Sequence, residues 1–181
     1  MTQARLIAVV GPSGVGKDSV MVGLKDFLQS VHLVRRVITR PPNLGSEDYD
    51  SVTSDEFDDM IQNGAFALHW RAHRLRYGVP ATVKYQLNKG TDCLVNFSRK
   101  ALLEGAEYYP HFVVLNITAS PEILAHRLAK RGRESREEIV KRISEADKPL
   151  PKGLDVIEVS NDGSLTQTVA RAASLLQPVR A

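Results

Sequence analysis

Nine consecutive residues carry the clearest chemistry in this sequence: Gly11, Pro12, Ser13, Gly14, Val15, Gly16, Lys17, Asp18 and Ser19. A glycine, four residues, then Gly-Lys is the spacing of a phosphate-binding loop. Its glycines let the backbone turn tightly and aim N–H groups at phosphate oxygens. The helix that follows adds its positive end. Lys17 is then placed to reach the β- and γ-phosphates of ATP, where charge develops during transfer. A plain glycine-rich turn is the alternative. The apolar strand before the run and the helical segment after it favour the phosphate loop.

Position 18 departs from the pattern, which calls there for the hydroxyl that normally holds Mg²⁺. A carboxylate about 5 Å from a phosphate charge costs roughly 3 kcal/mol at an effective dielectric near 20. Two readings of Asp18 stand. With Ser19 it helps to hold Mg²⁺, directly or through water, or it faces solvent and merely favours the helix N-terminus.

A second basic group follows much later: Arg127, Lys130, Arg131, Gly132, Arg133, Glu134 and Ser135, then a helical segment carrying Arg142. A kinase needs a mobile basic lid that closes over the phosphates and excludes water. Gly132 supplies a hinge, and the arginines can stabilise charge on the moving phosphoryl group. A basic helix end favoured by the dipole is the plainer account. Lys17, Arg131 and Arg142 are the catalytic candidates. A GTPase is disfavoured, because the nearest string to Asn-Lys-x-Asp is Asn88-Lys89-Gly90-Thr91, which lacks the aspartate.

The elements that must position these residues alternate short apolar runs with helical segments, the pattern of a parallel α/β sheet. Strands are expected at Leu6–Val10, Val34–Thr39, Cys93–Phe97, Phe112–Thr118 and Leu154–Ser160. Helices are expected at about Gly16–Gln29, Asp55–Asn63 capped by Ser54, Ala81–Asn88, Arg99–Gly105, Pro121–Arg131 capped by Ser120, Arg136–Asp147 and Ser164–Leu176. More than fifty residues separate the second strand from Cys93, too many for one crossover helix. An inserted lobe at about 40–90 accounts for them, with the lid at about 131–142 and one domain over 1–181. Acids dominate 47–59, flanked by Arg35, Arg36, Arg40, Arg71, Arg74 and Arg76. That split suits either a solvated surface or a pocket for an anionic substrate.

The bulk properties narrow the function. With 181 residues, 43% hydrophobic and 25% charged, the composition is that of a globular protein. No apolar run approaches the ~20 residues of a membrane span. The single cysteine, Cys93, has neither a disulfide partner nor metal-ligand neighbours, which favours a reducing cytoplasm. A net charge of +3 and a pI of about 9.1 favour anionic ligands. Lys and Arg form no run, so phosphorylated metabolites are expected rather than nucleic acid.

Further residues carry a family resemblance. The phosphate loop, Thr39-Arg40-Pro41, Gly45 to Tyr49, Glu56-Phe57, Gly64 to Phe66, Tyr77-Gly78, the Arg131-Gly132-Arg133 lid and Asn161-Asp162 resemble guanylate kinases, in order, over nearly the whole length. The resemblance implies a five-stranded parallel sheet flanked by helices, an acceptor lobe and a lid. It implies that Arg40, Tyr49 and Tyr77 hold the acceptor phosphate, that Arg131 and Arg142 act on the transferred group, and that the segment around Asn161 borders adenine.

Departures from the family's pattern are as informative. Leu68 stands where the glutamate that reads guanine is expected, and a leucine accepts no N–H donors. The family's second arginine falls on Asn43, the acidic pair on the middle strand on Asn96 and Ser98, and the small residue after Tyr-Gly on Val79. Together with Arg36 to Pro41 and Val95 to Arg99, these features resemble the ribose 1,5-bisphosphate phosphokinases of bacterial phosphonate degradation. That implies an acceptor whose second phosphate needs a clamp, with Arg36, Arg71, Arg74, Arg76 and Arg99 available and Asn96 and Ser98 nearby. A nucleoside monophosphate kinase of altered base preference and a non-catalytic guanylate-kinase-like binding module are the alternatives. His69 and His73 are expected to be hydrogen-bonding or surface groups, since a phosphate nucleophile needs no base, and Trp70 is expected in the core.

Overall fold

A computed structural model describes residues 3–28, 30–42, 44, 47–132, 135–146 and 148–177. Asn43, Gly45, Ser46, Arg133 and Glu134, and the expected helix ends at Gln29 and Asp147, lie outside the described residues.

The core is a five-stranded, all-parallel sheet. Its strands are β1 (Leu6–Val10), β2 (Val31–Leu33), β7 (Asp92–Asn96), β8 (Phe112–Thr118) and β9 (Val156–Ser160), in the order β2-β7-β1-β8-β9. All five residues of β1 are buried, as an unbroken Leu-Ile-Ala-Val-Val run requires of a central strand covered on both faces. On one face pack α1 (Lys17–Leu28) and α7 (Leu165–Leu176), through Val20, Met21 and Leu24 against Val169, Ala172 and Ala173. On the other face α4 (Leu102–Tyr108) follows a short 3-10 turn, Arg99–Ala101. A capping box at Ser164 starts α7, its hydroxyl accepting the Gln167 N–H.

The inserted lobe carries a second sheet that the sequence did not announce. It runs β4-β3-β6-β5, from β3 (Arg36–Ile38), β4 (Tyr49–Ser51), β5 (Phe66–Ala72) and β6 (Leu75–Pro80). The helices α2 (Ser54–Gln62) and α3 (Val83–Asn88) flank these strands in the chain. The expected strand Val34–Thr39 is corrected here, because the chain changes sheets inside that apolar run. Val31 to Leu33 pair with β7 in the core, whereas Val37 and Ile38 pair with Gly78 and Tyr77 in the lobe. Two caps also differ. Thr53, not Ser54, caps α2, in a reciprocal box with Glu56. Ser120 occupies the N-cap position of α5 (Pro121–Arg131) without a side-chain cap, its N–H donating instead to Asp162 at 2.7 Å.

The segment expected as the lid, about 131–142, falls on the end of α5, a left-handed Gly132 (φ 62°) and the first part of α6 (Arg136–Ala146). Among the described residues, no helix is long and apolar enough to cross a membrane.

Candidate active site

The phosphate loop leaves β1 through Gly11, where a β-carbon would lie 2.4 Å from the Ile117 carbonyl oxygen. It enters α1 through Gly16, held at φ 93° with the Asn161 amide so near that a β-carbon would meet it at 2.9 Å. Both contacts exclude a side chain. The loop is braced from behind. Asn161 is buried and donates to the Val15 carbonyl at 2.7 Å, while its own oxygen accepts the Thr168 hydroxyl at 2.7 Å. Arg127 donates to the same Val15 carbonyl (3.2 Å) and to the Asn161 carbonyl (2.8 Å). The Asn161 side chain, expected beside adenine, is thus engaged with the loop backbone.

Lys17 folds back over this loop and donates to the carbonyls of Gly11 (2.9 Å) and Pro12 (3.2 Å). Burial lowers its pKa from 10.5 to about 8. Asp18 and Glu47 oppose that fall, while the charges of Arg36 and Arg131 add to it. Arg131 ends α5, and Arg142 of α6 donates to the Ser13 hydroxyl oxygen. Lys17 and Arg142 therefore meet on one loop and the charge of Arg131 reaches Lys17, although more than a hundred residues separate Lys17 from the other two.

Asp18 lies in the first turn of α1 and accepts from the Asn96 amide at 3.3 Å. The same amide nitrogen lies 3.4 Å from Glu47, and Glu47 takes Arg36 in a two-pronged pair at 2.7 and 2.6 Å. Arg36 is only 4% exposed, its guanidinium 4.8 Å from the centre of the Tyr77 ring and 5.8 Å from that of Trp70. A phosphate reaching Arg36 would meet a cation that Glu47 already neutralises. Sequence reasoning missed this role of Glu47. Its place in an acidic stretch carried no sign that one of those acids turns inward.

The residues expected to hold the acceptor make contacts of their own. Arg40 lies 5.2 Å from the centre of the Tyr49 ring and 3.5 Å from the Tyr77 hydroxyl, and both tyrosines are buried. Ser98 accepts the Trp70 indole N–H at 2.8 Å, and Trp70 stacks between Tyr77 and Phe97 in the core. Arg99 donates to the Lys148 carbonyl at 2.7 Å. Arg76 is bound to Asp58, while Arg71, Arg74, His69 and His73 lie exposed on the β5–β6 hairpin. Leu68 is buried opposite Val79.

Comparison with known proteins agrees with this geometry. The guanylate kinase family pattern matches residues 3–177. Ribose 1,5-bisphosphate phosphokinase PhnN of Ruegeria sp. (strain TM1040) is 47% identical over 177 residues, covering 97% of this chain and 93% of that protein. The protein of the same name from Agrobacterium fabrum (strain C58 / ATCC 33970) is 39% identical, covering 95% and 96%. Among solved structures, guanylate kinase from Anaplasma phagocytophilum superposes with a TM-score of 0.69 at 21% identity, covering 97% of this chain and 86% of that one.

Proposed function

The chain belongs to the guanylate kinase family, and we propose that within it the protein transfers the γ-phosphate of ATP to ribose 1,5-bisphosphate, giving ADP and 5-phosphoribosyl 1-diphosphate. One observation carries this reading. A complete phosphate loop, with Lys17 and Arg142 seated on it, faces an acceptor lobe whose expected base-reading position is the buried, apolar Leu68.

In this proposal the N–H groups of residues 11–16 and Lys17 hold the β- and γ-phosphates. Arg40, Tyr49 and Tyr77 hold the acceptor's reacting phosphate, and Arg36, Asn96, Ser98 and Arg99 line the rest of the acceptor site. An oxygen of the acceptor phosphate attacks the γ-phosphorus, the bond to the β-phosphate oxygen breaks, and ADP leaves. Arg131 and Arg142 neutralise the equatorial oxygens as the group passes. The attacking oxygen carries no proton to remove, so no side chain acts as a base. Asp18 and Ser19 offer hard oxygen donors at the head of α1. They suit Mg²⁺ held by one carboxylate and the substrate phosphates, and no group of three or more His, Cys, Asp or Glu gathers among the described residues. Bound there, Mg²⁺ would supply charge neutralisation between the phosphates. Service in phosphonate degradation and a cytoplasmic location complete the reading.

The test is ADP release from Mg-ATP in the presence of ribose 1,5-bisphosphate, GMP or other nucleoside monophosphates. The sugar bisphosphate is expected to outrun every nucleotide. Faster turnover of GMP overturns the reading of Leu68, and no turnover with any acceptor favours a binding module.

A further inference from the structure

A cavity of about 560 Å³ lies on the α4 face of the core sheet, and Pro12 of the phosphate loop forms part of its wall. The ends of β8 and β9 contribute Asn116 and Glu158, the residue after β7 and Ser98 contributes Arg99, and the segment 148–154 brings Lys148 and Lys152. Three cations therefore meet one carboxylate, and that carboxylate already accepts the Asn116 amide at 3.0 Å. The remaining Asn116 oxygen is buried with no partner among the described residues, although buried acceptors are nearly always satisfied. The far wall is not loosely held. Arg99 ties the Lys148 carbonyl to the end of β7, Pro149 and Pro151 restrict the backbone, and Leu150 and Leu154 pack on the core.

A pocket with several cations and one buried oxygen awaiting a donor suits an anion that also carries hydroxyls. Its position supplies the rest of the argument. It borders the loop at Pro12, beside Ser13 where Arg142 is seated, and shares Arg99 with the acceptor site, so an acceptor whose reacting phosphate meets the γ-phosphate at the loop can extend its other end into the cavity. We infer that this cavity binds the distal, non-reacting phosphate of the acceptor, with Arg99, Lys148 and Lys152 as its cations and Asn116 accepting a sugar hydroxyl. The inference rests on the acceptor being a sugar bisphosphate, as proposed above. It assigns the second-phosphate clamp to the far side of the sheet from α1, and away from Arg71, Arg74 and Arg76 on the lobe hairpin.

Lys148 and Lys152 are exposed, so a Lys148→Gln/Lys152→Gln double variant is expected to fold, which a thermal melt verifies. The KM for ribose 1,5-bisphosphate should rise about tenfold or more, as expected for lost contacts to a charged group. The inhibition constant of ribose 5-phosphate should rise with it. Inhibition by ribose 1-phosphate, which lacks the distal phosphate, and the KM for ATP should both stay within about twofold. If the wild-type protein turns over ribose 1,5-bisphosphate and the variant keeps its KM, the subsite is wrong and the activity stands. A matching rise in the ATP KM assigns the cavity to the nucleotide and also overturns the inference. A wild-type protein that ignores ribose 1,5-bisphosphate refutes the activity, and the subsite with it.

Discussion

Raising the pH should make nucleotide binding draw a proton from solution, because Lys17 is held in an unfavourable place for a charge. Its amine is half-buried over the loop, where among the described residues it donates to the Gly11 and Pro12 carbonyls, and desolvation lowers its pKa from 10.5 to about 8. In the window between those values the unfolded chain keeps a proton that the empty folded protein has released. This group's contribution to stability therefore grows as pH rises through that window. A bound polyphosphate reverses the preference, since it favours the ammonium. Above about pH 8 the nucleotide must restore the missing proton, so affinity should fall about tenfold, or about 1.4 kcal/mol, for each further pH unit. Isothermal titration with Mg-ADP, in two buffers of different ionisation enthalpy, reads this directly. At about pH 7 the two buffers should agree, and at about pH 9 their heats should differ by close to one proton taken up per site. Lys17→Met should bind more weakly at neutral pH and lose the additional uptake. A flat affinity across this range, with no buffer dependence, would refute the reasoning.

Other outcomes follow from the same geometry. Asp18→Ala should raise the Mg²⁺ concentration for half-maximal rate roughly tenfold; an unchanged requirement would assign Asp18 to solvent. Arg142→Ala should lower kcat roughly a hundredfold or more while the KM for ATP moves by less than about threefold, since its work lies in the transition state. Equal losses for ATP binding and turnover would make it a simple binding residue. Asn161→Ala removes the amide that supports the Val15 carbonyl and should cost about 1–3 kcal/mol in a denaturant titration. It should also weaken ATP binding, and a variant as stable as the wild type would show that Arg127 alone holds the loop.

The phosphate loop was legible because its chemistry is local: glycine spacing and one lysine encode a backbone shape and a charge within nine residues. The core strands at Leu6–Val10 and Phe112–Thr118 were legible because a strand buried on both faces must be apolar throughout. The run from Val34 to Thr39 misled because hydrophobicity marks burial and not the sheet that provides it. The lobe's three-residue strands β3 and β4 are too short to show a period. Contacts between distant residues left no signal at all. Asn161 meets Val15 across 146 positions, and nothing near either residue foretells it. Glu47 and Arg36 are closer in sequence, yet only the folded lobe distinguishes Glu47 from the solvated acids around it.

The identity of the acceptor is what separates a sugar-bisphosphate kinase from a nucleotide kinase. Phosphorus NMR of a reaction containing Mg-ATP, ribose 1,5-bisphosphate and an equal concentration of GMP puts the two acceptors in direct competition. The account predicts a new diphosphate on the anomeric carbon of the sugar, appearing in step with ADP, while GMP persists. Accumulation of GDP with the sugar bisphosphate untouched would contradict it.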